Sequence, residues 1–476
     1  MKKLDFIAEK RFLGFILGLI ILILLFTGFT KSSEKKKNYN IVLISVDTIQ
    51  WDVFNNKFKE LDNVFKERSI KFNNTYTQIP FTYPSFTSLL TSLSPLRTGI
   101  TNNSSVEVNN NTTTLPKILK QHGYSINAYI TNRFINNSLI DTNIGNSIKR
   151  YDALGIWKTD RKDYNDFIGG STRVLSDKSK EPYFLWVHLM DPHYPYFGNT
   201  NATCSDINCK ELNLQLIDSL INKEKPFFGC RNKDLNTEDR KPIVENSYKL
   251  YKEDVSLAIS KINSIINSLK KNDNLKNTII IVYGDHGEGF DHNYYFHHGY
   301  MLYNSAVHIP FILYHPDMFS RNVNQTITNN DILPSLLDLL GIPYEADHFD
   351  GKSFSYLLRL PSIITQFFPS RNKYTFFYNK SLSKFAIFDG QYKYIYSYIL
   401  KDTCLYNNQT EEMYDLRTDP TEKNNIIKLE PEQADKLKNQ LFNHLSKYNL
   451  PKENKEAPNS QELNKEVLDK LKTMGY

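Results

Sequence analysis

The sequence predicts an α/β fold, a mostly parallel sheet with helices on both faces, and three observations carry that expectation. Short continuous apolar runs recur between residues 40 and 314 without polar alternation, the pattern of strands buried on both faces. Segments of helical period lie between them, so strand and helix alternate as in a parallel sheet. Three of the runs lead into polar clusters, at Asp47, at 188–196 and at 284–288. Ligands in such folds bind beyond the carboxyl ends of the strands.

Along the chain, residues 12–30 (FLGFILGLIILILLFTGFT) carry no charge. At about 1.5 Å per residue they match the ~30 Å hydrocarbon core of a bilayer. No small-residue cleavage site follows, as a signal peptide would require. The expectation is a cytoplasmic stub over 1–11, a single-pass transmembrane anchor over 12–30, a polar linker over 31–39 and a catalytic domain outside the cell. Four Lys/Arg flank the apolar segment on each side, so charge does not set its direction. The strand candidates are Asn40–Val46 and residues 124–131, 183–187, 278–283 and 309–314, with helices at 114–122 and 245–270. Residues 198–245 are polar and fit neither period, which suggests an insertion near the site. Past residue 350, Tyr- and Phe-rich strand candidates at 384–388 and 392–398 precede a helix at 431–447. This predicts a catalytic domain over 40–350, a smaller α+β subdomain over 351–450 and a charged tail over 451–476, with a short helix at 460–474.

Composition excludes several classes. Hydrophobic content of 40% with 23% charged residues is that of a folded globular protein. The net charge of +6 sits at the amino terminus: residues 1–37 hold eight Lys/Arg against Asp5, Glu9 and Glu34, leaving +1 for the rest. No nucleic-acid footprint is present. The four cysteines, Cys204, Cys209, Cys230 and Cys404, are compatible with disulfides, for which three pairings exist, or with free thiols.

The chemistry-bearing residues cluster at the strand ends. Asp47 follows the first strand, in SVDTIQWD, and Asp285-His286 follow the fourth, in YGDHGEGF. One Asp at a strand end reads as a cap or turn former; three polar ends on one sheet edge point to a shared crevice. Thr82 opens TYPSFTSLLT, where Pro84 suits the first position of a helix and Phe86, Leu89 and Leu90 follow helical spacing. Taken alone, Thr82 is a helix N-cap. Beside a metal site it becomes a nucleophile, because a helix amino terminus favours an anionic ester and a metal or base makes a hydroxyl reactive. His193 and His298 are candidates for oxyanion donor or general acid.

At this point the chain resembles the sulfatase-like branch of the alkaline phosphatase superfamily, over roughly residues 40–425. NIVLISVDT resembles the opening strand with its metal-binding Asp, here Asp47, and TYPSFTSLLTSLSPLRTG resembles the C/S/T-x-P-S segment with Thr82 in the nucleophile position. FLWVHLMDPHYPY resembles H-x-x-D-P-H-x-P-Y, its second His being His193. YGDHGEGF with the later HHG resembles the second metal segment, giving Asp285, His286 and His298. DILPSLLDLLGI, DGQYKYI and MYDLRTDPTEKNN resemble the following helix and the small C-terminal subdomain. Two departures bear on substrate. The Cys or Ser that sulfatases oxidise to formylglycine is Thr82, which cannot give that aldehyde, and the Arg that often follows Pro-Ser is Phe86.

The resemblance implies a divalent ion (Mn, Mg, Ca or Zn) held by Asp47, Thr82, Asp285 and His286, hard ligands with one imidazole that do not select among metals. With the anchor read from residues 12–30, it implies a membrane-bound, metal-dependent ester hydrolase or transferase, such as a phosphodiesterase or phosphotransferase, that cleaves or transfers a phosphoester group through a covalent ester on Thr82. The substrate would be a phosphate or sulfate ester, such as a lipid headgroup or surface glycan. Two alternatives stand beside it: a sulfatase in the literal sense, and a catalytically inert surface binding protein.

Overall fold

The computed structural model describes residues 38–448, apart from 104–107, 141–147, 151–160, 199–240, 400–410 and scattered single residues and short runs between them. The expected stub, anchor, tail, most of the insertion and all four cysteines lie outside the described residues. Among the described residues, no helix is long and apolar enough to cross a membrane.

The centre is an eight-stranded sheet. Its strands are β1 (Asn40–Val46), β2 (Ser69–Phe72), β3 (Ser125–Ile130), β4 (Ile148–Arg150), β5 (Tyr183–Leu189), β6 (Thr278–Gly284), β7 (Phe311–Tyr314) and β8 (Arg321–Val323), in the spatial order β8-β2-β7-β6-β1-β5-β3-β4. Seven strands run one way. β7 alone is reversed, antiparallel to both β6 and β2. An apolar run is equally compatible with either direction, so this reversal had no signature in the sequence.

Alternation along β1 divides the core in two. Ile41 and Leu43 face a layer containing Phe86, Leu89, Leu90, Leu333 and Leu337. Those residues come from helix α1 (Thr82–Thr91) and helix α2 (Ile332–Leu340). Val42, Ile44 and Val46 face Tyr251, Val255, Ile259, Ile262 and Ile266, the apolar stripe of the 31-residue helix Lys241–Lys271. Both faces of the sheet are therefore covered, which is why the central strands read as unbroken apolar runs. A second, four-stranded antiparallel sheet (Lys373–Tyr378, Leu382–Phe388, Tyr392–Ile399, Glu411–Asp415) packs on the helix Pro431–Leu445. This is the expected C-terminal subdomain.

Register places the site. Val46 pairs with Leu189 on one side and with Gly284 on the other. The residues that follow, Asp47, the 190–193 turn and Asp285-His286, thus leave the sheet side by side at its carboxyl edge.

Candidate active site

Asp47, Asp285 and His286 are fully buried, and their ligand atoms lie within 4.8 Å of one another. Backbone bonds anchor them: Asp47 N–H donates to Leu189 O at 2.8 Å and Gly287 N–H to Ala306 O at 2.8 Å. Thr48 is forced to a positive φ of 52°, an unusual conformation for a β-branched residue. Its carbonyl accepts from Tyr251 Oη at 2.8 Å, and the same hydroxyl accepts from Gln50 N–H at 2.8 Å. Gly287 must be glycine, because a Cβ there would lie 1.9 Å from the Ser305 carbonyl oxygen.

The rear atoms of each polar side chain are committed. Asp285 Oδ1 accepts from Thr48 N–H at 3.1 Å and from His286 N–H at 2.8 Å. Asp47 Oδ2 accepts from Asn132 Nδ2 at 2.8 Å. His286 Nδ1 lies 2.9 Å from Gly287 O; a carbonyl only accepts, so Nδ1 carries the proton and Nε2 presents a lone pair. The forward atoms converge on that lone pair: Asp47 Oδ1 at 3.6 Å, Asp285 Oδ2 at 3.5 Å and Thr82 Oγ1 at 3.3 Å. Among the described residues, Asp47 Oδ1 and Asp285 Oδ2 have no hydrogen-bond partner although both are buried. Orphaned buried carboxylate oxygens facing an imidazole lone pair are a poor arrangement without a cation and a suitable one with it. The residues present fit a divalent ion.

Electrostatics agree. Burial and the nearby Asp47 charge push the Asp285 carboxyl well above its ordinary range. Burial acts on Asp47 in the same direction, but the neighbouring His188, His193 and His286 imidazoles outweigh it and hold Asp47 low. Burial, then repulsion from His298, lowers His286 to about 3, so its ring is neutral and able to bind metal.

Thr82 is buried at the start of helix α1. The N-cap is Phe81, not Thr82, and Pro84 lies in the third helical position rather than the first. The capping reading of Thr82 is therefore corrected: its hydroxyl turns to His286 instead of to the helix backbone. Ser85 ties this helix to the carboxyl edge of the sheet, its Oγ donating to Asp285 O at 2.7 Å and accepting from Tyr283 Oη at 2.7 Å. Phe86 packs edge-on against His188 at 5.2 Å between ring centroids.

His298 closes the other side, its ring centroid 4.2 Å from that of His286 and 5.4 Å from that of His193. Its Nδ1 faces Oε1 of the fully buried Glu288 at 3.4 Å. Burial, then His193, lowers His298 to about 3. His193 Nδ1 donates to Tyr194 O at 2.6 Å. Gly299, at φ +100°, is pressed against the Phe81 ring and leaves no room for a side chain. All six sequence-predicted residues thus meet in one crevice. Asn132, His188 and Glu288 were missed. Asn132 lies two residues past β3 and could have been found by the strand-end rule applied to Asp47. His188 and Glu288 lay inside motifs already noted.

Comparison with known proteins adds the following. Residues 39–342 match the family model described as sulfatase, and residues 291–450 match that of the C-terminal region of N-sulphoglucosamine sulphohydrolase. The chain is 23% identical over 423 residues to arylsulfatase K of Canis lupus familiaris, covering 78% of this chain and 74% of that protein. Among solved structures it is similar to a 2-O GAG sulfatase, with a TM-score of 0.66 at 18% identity over 87% of this chain and 93% of the other. It is also similar to the phosphonate monoester hydrolase of Agrobacterium radiobacter, with a TM-score of 0.61 at 15% identity over 88% and 99%. At these identities the structural likenesses show the fold.

Proposed function

The chain belongs to the sulfatase family, and from that premise we propose that it is a metal-dependent hydrolase of anionic esters in which Thr82 is the nucleophile. The observation that carries the reading is the convergence of Asp47 Oδ1, Asp285 Oδ2 and Thr82 Oγ1 on the His286 Nε2 lone pair. Asp47, Asp285, His286 and Thr82 would hold the ion. A bound divalent cation supplies Lewis acidity, which makes alkoxide character at Thr82 accessible near neutral pH.

The protein's own groups then have distinct work. Thr82 Oγ attacks the sulfur or phosphorus, forming a new ester bond while the bond to the leaving oxygen breaks. With Nδ1–H committed to Glu288, neutral His298 presents Nε2 as an acceptor, so it suits general base and then general acid better than the oxyanion-donor role. Glu288 behind the ring steadies the charge that develops when the imidazole takes a proton. His193, whose Nδ1–H goes to Tyr194, is the second candidate to protonate the leaving oxygen. Water completes the cycle by attack at sulfur or phosphorus, restoring the Thr82 hydroxyl.

The favoured substrate class is a sulfate ester, since the related arylsulfatase K and 2-O GAG sulfatase are named for that chemistry. One observation favours a phosphorus ester instead. Residue 82 is Thr, which cannot become formylglycine, and a phosphonate monoester hydrolase shares the fold. An aryl sulfate, a phosphomonoester, a phosphodiester and a phosphonate monoester, each assayed with Mn, Mg, Ca and Zn, separate the two. Thr82→Ala is expected to abolish turnover of the accepted substrate while metal uptake stays within a few-fold. Mass spectrometry after brief exposure should find the adduct on Thr82. Wild-type rates from the Ala variant would remove the nucleophile assignment.

A further inference from the structure

Asp47 can serve a metal only if Oδ1 faces the crevice, and the structure contains a side-chain relay that enforces this orientation. On β5, Phe184, Trp186 and His188 alternate onto one face, and Ser45 of β1 pairs with His188 across the sheet. All four are fully buried. Trp186 Nε1, which only donates, lies 2.8 Å from Ser45 Oγ. Ser45 Oγ lies 2.9 Å from His188 Nδ1. A buried hydroxyl that already accepts from the indole must place its own proton somewhere, and His188 Nδ1 takes it. The imidazole proton is therefore on Nε2, which stands 3.4 Å from Asp47 Oδ2, the same oxygen that accepts from Asn132 Nδ2. Phe86, edge-on to His188 and 4.8 Å from the Trp186 ring, fills the space beside the relay.

We propose that His188 is a positioning residue for the metal centre, its Nε2–H tautomer being set by Trp186 and Ser45 so that, with Asn132, it holds Asp47 Oδ2 back and presents Oδ1 to a divalent ion. The inference rests on Asp47 being a metal ligand. It assigns His188 no contact with substrate. Outer-shell partners of this kind change metal affinity by about 10–100-fold when removed.

The test uses the full-length protein. Calorimetric titration with Mn2+, repeated with Mg2+, Ca2+ and Zn2+, gives the wild-type Kd. His188→Leu is expected to weaken the best-bound ion by about 10–100-fold, with His188→Gln, which restores an N–H donor, recovering most of it. Ser45→Ala, which frees the tautomer without touching Asp47, is expected to give a smaller loss. Nitrogen-15 NMR of the metal-free wild type should show His188 protonated on Nε2, a reading that does not depend on any variant folding. A His188→Leu Kd within twofold of wild type, or a proton on Nδ1, would overturn the proposal. A wild type that binds none of the four ions would refute the metal centre itself, and the relay with it.

Discussion

Exchanging Asp285 for Asn removes one charge from a buried pair and should remove most of the stabilisation that metal gives. The ligand atoms of Asp47 and Asp285 lie within 4.8 Å, and at an effective dielectric of about 20 two unit charges at that distance repel by about 3.5 kcal/mol. In the Asn variant the side-chain oxygen still accepts from Thr48 N–H and His286 N–H, as Asp285 Oδ1 does now, so few bonds are lost. In EDTA at pH 8 the variant should be the more stable protein by about 1–3 kcal/mol. The sign of the pH effect follows from the raised Asp285 carboxyl. A folded-state value above the unfolded one is unfavourable as pH rises, so protonation relieves the wild type as pH falls and the gain shrinks with it. With metal at 100 times its Kd the wild type gains about 2.7 kcal/mol, whereas the variant, short of one ligand and one charge, gains little. Melting by differential scanning calorimetry in EDTA and in Mn2+ reads both effects. A variant that melts below wild type in EDTA at pH 8, or shows the same metal-induced rise, refutes the reasoning.

Gly287→Ala places a Cβ 1.9 Å from a backbone oxygen, so the Asp285-His286 turn must move; a loss of about 3 kcal/mol in a urea midpoint is expected. A change under ~0.5 kcal/mol would mean that the turn is not held there. His308 stacks between Trp51 and Tyr76, donates Nε2–H to Asn73 O at 2.8 Å, and is lowered to about 3 by burial. A lowered histidine loses stability as pH falls below the unfolded value of about 6.5, because the unfolded chain then binds a proton the native one refuses; at pH 5 this amounts to at most about 2 kcal/mol. His308→Gln should therefore lose less stability than wild type between pH 7 and pH 5, and parallel slopes would show that His308 does not titrate in this way.

Most of the candidate site was legible because its residues follow buried strands. Asp47, Asp285 and His286 each stand directly after an apolar run, and residue type with local period is information a sequence carries. The helix at 82 was legible as a helix, but its boundary was not. Whether Thr82 caps or faces His286 depends on Phe81 and on a contact 204 residues away. The α/β class, the small C-terminal subdomain and the Thr at position 82 were thus determined by the sequence itself, through periodicity and chemistry at single positions. Tertiary structure alone decided the reversal of β7, the register that sets Val46 beside Leu189 and Gly284, and the proton positions on His188, His286 and His298. The physical reason is range. A strand's burial is written in its own residues, whereas a tautomer or a carboxylate's orientation is fixed by partners such as Ser45 and His188, which only folding brings together.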